Sequence, residues 1–132
     1  TQLVRLGWGK NHPAFRQMFT TRFIPDAGPE EMEWFNDLQR ITASPENAAR
    51  FMDQFASVDV RPLLADIVVP TIVFHCQEDG VVPFNEGRLL AAGIRGAKFV
   101  PLPSRNHLVL AHEPAWQIVL RELGEFLGWR SS

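Results

Sequence analysis

Asp79 and His107 are the two residues of this sequence whose types and settings best suit chemistry. A carboxylate beside an imidazole fixes its tautomer and stabilises the imidazolium formed when the histidine takes a proton, which is how a nucleophile is activated. Each residue follows a short apolar run. Asp79 comes after Thr71-Ile72-Val73-Phe74-His75, and His107 after Lys98-Phe99-Val100-Pro101-Leu102. Taken singly, the acid reads as a turn residue capping the N–H groups of Gly80 and Val81, and the histidine as a surface side chain. Taken together, at the ends of two such runs, they read as an acid–base pair.

Other candidates are weaker. Glu78 is adjacent to the acid, but its side chain should point elsewhere. His75 and Cys76 are consecutive in a predicted strand and face opposite sides, so they do not converge as a thiol nucleophile or a metal pair. His107, His112 and Glu113 lack helical metal spacing, and no second cluster supports zinc. No metal and no cofactor is therefore expected. His12, before Pro13, reads as a turn or cap residue, and Arg105 as a solvated loop charge. Trp8, Trp34, Phe35 and Phe55 fit either core packing or the lining of a substrate pocket.

The elements that must position the pair follow from periodicity. Thr71–His75 is the β-branched run of a strand buried on both faces. Asn85–Ile94 reads as a helix with Leu89, Leu90 and Ile94 inward, and Gly96 lies beyond its end. Lys98–Leu102 is a second strand, placed at a sheet edge because Pro101 has no N–H to donate. Pro114 opens a last helix with Trp116, Val119, Leu120, Leu123 and Leu127 facing in. This βαβα order predicts an α/β fold with parallel strands and a right-handed crossover. Parallel neighbours lie about 4.8 Å apart, so residues just beyond their C-terminal ends can meet.

Residues 1–58 differ in texture and are predicted helical, with a division near Asp59. Phe15, Met18, Phe19 and Phe23 form one stripe of a helix from Pro13 to Phe23. Pro25-Asp26-Ala27-Gly28 reads as a turn. Pro29 opens the next helix, with Met32, Phe35, Leu38 and Ile41 on its buried side. Ser44 caps a third, whose apolar face carries Ala48, Phe51, Met52 and Phe55. Arg61–Ile67 reads as a short helix ended by Pro70.

The 132 residues are 45% hydrophobic and 11% aromatic, enough to form a core rather than a disordered tail. A formal charge of −2 with 13 scattered basic residues argues against nucleic-acid binding by this segment. No run approaches the roughly 18 apolar residues of a membrane helix. One cysteine, Cys76, excludes an internal disulfide and leads us to expect a reducing, cytoplasmic setting. Because the first residue is Thr1 rather than Met, an excised piece of a longer protein is expected.

The stretch Val69-Pro70-Thr71-Ile72-Val73-Phe74-His75-Cys76-Gln77-Glu78-Asp79-Gly80-Val81-Val82-Pro83, with Asn106-His107 and Glu113-Pro114, resembles the C-terminal part of the α/β-hydrolase superfamily. The resemblance implies that Asp79 is the acid and His107 the histidine of a Ser-Asp-His triad, in that family's chain order. It also implies that residues 1–58 are the helical cap and 59–132 the closing part of the hydrolase domain, acting on a small ester- or amide-type substrate. Cys76 and Asn106 stand where the family usually has glycine. No G-x-S-x-G occurs among the 132 residues, and none of Ser44, Ser57, Ser104, Ser131 and Ser132 lies on a strand–turn–helix elbow. The chain alone is therefore expected to be inactive. An apolar strand edge over residues 70–76 is expected to lack a partner and to drive homo-oligomer formation. Gly7-Trp8-Gly9, Asn11-His12-Pro13-Ala14-Phe15-Arg16, Phe23-Ile24-Pro25 and Ser44-Pro45-Glu46-Asn47-Ala48 further resemble hydrolase-like modules of bacterial LuxR-type regulators and adenylate cyclases. That resemblance implies a domain that senses a small-molecule ligand.

Overall fold

The computed structural model describes Val4, Gly7, Trp8, residues 13–55 and residues 57–129. The expectation for His12 falls outside these residues. The chain divides into two compact units, Thr1–Asp59 and Val60–Ser132.

The first unit is helical: α1 (Pro13–Phe23), α2 (Pro29–Thr42) and α3 (Pro45–Phe55). The starts of α2 and α3 follow local chemistry. Pro29 occupies the first turn of α2, where its missing N–H costs nothing, and the Gly28 N–H donates to Glu31 Oε2 at 2.8 Å. Ser44 Oγ accepts the Asn47 N–H at 3.3 Å and caps α3. Ala48 and Ala49 are buried with Val4, and Trp8, Phe15 and Phe19 pack against them.

The predicted inward faces are corrected in part. Phe35 is buried as expected, but Met18, Ile41, Phe51, Met52 and Phe55 are exposed. Thr20 and Gln39 are buried in their place, where the Gln39 amide donates to Thr20 Oγ1 at 2.8 Å. A hydrogen-bonded polar pair can occupy a helix–helix contact that larger apolar side chains do not reach.

The second unit carries the sheet. A 3₁₀ turn spans Arg61–Asp66, followed by β1 (Ile72–Cys76), α4 (Phe84–Gly93), β2 (Lys98–Leu102) and α5 (Pro114–Phe126). The two strands are parallel, with Ile72 opposite Lys98 and Cys76 opposite Leu102. Their C-terminal ends are thus level, and the segments leaving them start side by side. Cys76, Val100, Leu102 and Ala115 form the core, with Ile72, Phe74, Val109, Ile118 and Val119 packed on it. Leu89, Leu120 and Leu127, expected inward, are exposed. On α4 the buried positions are Gly87 and Ala91, so small residues set its approach to the strands. α5 ends in a Schellman motif: Gly128 at φ 67° permits the Trp129 N–H to reach the Gly124 carbonyl at 2.8 Å. Among the described residues the sheet has two strands, and no helix is long and apolar enough to cross a membrane.

Candidate active site

Level strand ends bring the acid loop and the histidine loop together. The Gln77 N–H donates to the Leu102 carbonyl at 2.9 Å, extending the ladder one step past β1. The chain then turns at Asp79. Oδ1 accepts the Val81 N–H at 2.7 Å and the Val82 N–H at 3.1 Å. Oδ2 lies 2.7 Å from His107 Nδ1. Sequence reasoning set turn capping against pairing with histidine. The carboxylate does both, with one oxygen for each, and its turn cap takes the Val81 and Val82 N–H groups.

The Asp79 side chain is only 3% exposed. Burial alone would raise its pKa, but the hydrogen bond from His107 and those from Val81 and Val82 outweigh it, and the pKa lies below the ordinary value. A carboxylate can only accept, so His107 donates through Nδ1. Neutral His107 then has its lone pair on Nε2. The imidazole is partly exposed, as a group exchanging protons with a reactant must be.

His75 is a neighbour that sequence reasoning treated as structural. Its Nε2 lies 3.0 Å from the Val82 carbonyl and 3.6 Å from Asp79 Oδ2. The carbonyl is an acceptor, so Nε2 carries the proton. The His75 ring packs on α4 and meets Phe84 edge-on at 5.7 Å. Cys76 points the other way, into the core with Val100, Leu102 and Ala115. Burial raises the pKa of its thiol, which disfavours the thiolate and any nucleophilic role. Glu78 is exposed and contributes its backbone N–H, to the Ser104 carbonyl at 3.1 Å. Arg105 and His112 are also exposed. Among the described residues no group of three or more His, Cys, Asp or Glu is arranged to hold a metal ion.

A cleft of about 400 Å³ opens beside the pair, lined by His75, Asp79 and His107 together with apolar side chains such as Phe74, Leu102 and Trp116. The aromatic residues weighed as pocket lining in the first unit have other settings. Trp8 Nε1 donates to the Ala43 carbonyl at 2.9 Å, Phe35 is buried, and Trp34 and Phe55 are exposed. Missed from sequence was the polar cluster of Ser104, Asn106 and Glu113 behind His107. Its one sequence signal was an acidic residue directly before the proline that opens α5.

Among the described residues, two parallel strands with flanking helices, preceded in the chain by three helices, make an α/β fold. The structure superposes on an esterase from Exiguobacterium antarcticum (EaEST) with a TM-score of 0.71 at 18% identity, over 96% of this chain and 45% of that one. An 85-residue stretch is 31% identical to the AB hydrolase superfamily protein YisY of Bacillus subtilis (strain 168), covering 64% of this chain and 31% of that protein. The chain thus spans less than half the length of either relative. No family model matches it.

Proposed function

We propose that this chain supplies the acid and the base of a Ser-Asp-His triad for hydrolysis of a small ester- or amide-type substrate. The observation that carries the reading is the 2.7 Å contact between His107 Nδ1 and a buried Asp79 oxygen. It places the His107 lone pair on Nε2, and an ionised Asp79 stabilises the imidazolium formed when Nε2 takes a proton from a hydroxyl nucleophile. No G-x-S-x-G is present in the sequence, so the nucleophile belongs to polypeptide beyond these residues, and the chain by itself does not turn over esters. The test is hydrolysis of a chromogenic short-chain ester by the gene's full product. Asp79→Asn and His107→Ala should each lower kcat by on the order of 10⁴. Turnover equal to the parent's in either variant overturns the assignment.

A ligand-sensing module is the second reading, favoured by the resemblance of Gly7-Trp8-Gly9 and Ser44-Pro45-Glu46-Asn47-Ala48 to such modules. In that reading the full product binds a small molecule, and His107→Ala changes affinity without any turnover to lose. Assembly belongs to either reading: among the described residues β1 is paired on one side only, and in this proposal a second copy of the chain takes the other side.

A further inference from the structure

We propose that Glu113 is a positioning residue for His107, acting through a buried polar strap across the loop that carries the histidine. The proposal rests on the reading of Asp79 and His107 as acid and base.

The segment from Pro103 to Glu113 leaves β2 and returns at α5 with no regular structure to hold it. A few backbone bonds, such as the Glu113 N–H to the Leu110 carbonyl at 3.0 Å, are joined by side chains in setting its shape. Glu113 occupies the N-cap position of α5, yet its side chain makes no capping hydrogen bond to that helix. It turns back over the loop instead. Oε1 accepts the Ser104 hydroxyl at 2.5 Å, and Oε2 accepts the Leu110 N–H at 2.6 Å. Ser104 Oγ in turn accepts the Asn106 N–H at 3.0 Å. His107 is thus bracketed, with a tied residue immediately before it and another three residues after it.

The strap also reaches the acid. The Ser104 carbonyl accepts the N–H of Glu78, the residue before Asp79. One carboxylate therefore governs the spacing of both loops. Burial makes the arrangement consequential, because Ser104 is 7% exposed and Asn106 not at all. Polar groups in such a place are costly unless paired, so removing Glu113 leaves its donors without a partner and releases the loop.

The test is NMR of the full 132-residue chain, following the low-field Nδ1–H resonance of His107 and its exchange with water. The resonance is expected in the parent and lost in Asp79→Asn. In Glu113→Ala its exchange should accelerate by roughly tenfold or more, the equivalent of one hydrogen bond to a charged group. Glu113→Gln, which keeps an acceptor oxygen, should restore part of the protection. A folded Glu113→Ala chain with parental protection at His107 overturns the proposal and leaves the acid–base pair standing. A parental signal that is indifferent to Asp79→Asn overturns the pair, and the proposal with it. If Glu113→Ala does not fold, Ser104→Ala removes one end of the strap and decides by the same readout.

Discussion

Asp79 spends one oxygen on its own turn and the other on His107, so its ionised form is worth more in the folded chain than in the unfolded one. Glu113 has the same logic in a different loop. Burial opposes its charge, while Ser104, Leu110 and Asn106 outweigh that effect and lower its pKa. Both folded pKa values thus lie below their ordinary values, 3.8 for Asp79 and 4.5 for Glu113. As pH falls, the unfolded chain takes up these protons first. The stability contributed by both groups is complete above the ordinary values and is lost as pH falls from them through the folded values. The urea midpoint should therefore hold between about pH 7 and 5 and fall steeply below about pH 4.5. Asp79→Asn and Glu113→Gln should each lower the midpoint at neutral pH and flatten its acid decline. Parental steepness in both variants would assign the acid sensitivity to other carboxylates.

At the scale of elements, α4 holds His75 against the acid loop, and Gly87 is where it comes closest. A Cβ added at Gly87 would lie 2.3 Å from His75 Nδ1 and 2.7 Å from Cγ. Two effects oppose each other in Gly87→Ala. Helix propensity favours alanine by about 1 kcal/mol, whereas overpacking typically costs about 1–3 kcal/mol. The imidazole is held between α4 and the Val82 carbonyl, and the added Cβ would also lie 2.9 Å from the His75 Cβ, which ring rotation does not relieve, so a net loss of stability is expected in urea titration. A more stable Gly87→Ala would show that the ring can move aside. Such packing is where reading from sequence stopped. The strand Lys98–Leu102 was legible to the residue, and β1 to within one position, because runs of apolar and β-branched side chains are local signals. So was the position of Asp79 and His107 just past those runs. Burial was less legible: helical spacing marks an apolar face on α3, yet Phe51 and Phe55 on that face are exposed. Ser104, Asn106 and Glu113 were not legible as a unit, since only the path of the loop joins them.

For the whole molecule, the open question of assembly turns on β1. Among the described residues β1 is paired on one side only, by β2, and the residues leading into it are apolar and bare, Val68 at 90% exposure and Val69 at 63%. An apolar strand with an unpaired edge is a template for another chain. The simplest closed solution is a two-fold dimer in which the β1 edges of two copies pair, since an isologous contact satisfies both β1 edges at once. Light scattering at micromolar concentration should therefore give twice the chain mass of 15.0 kDa. Val68→Lys with Val69→Lys places charges beside the edge without touching the core, and should shift the protein toward monomer while leaving its helical signal intact. A parent that scatters as a stable monomer at that concentration would rule out pairing through β1. A dimer indifferent to both lysines would move the interface elsewhere, with the exposed face of α3 bearing Phe51 and Phe55 the next surface to mutate.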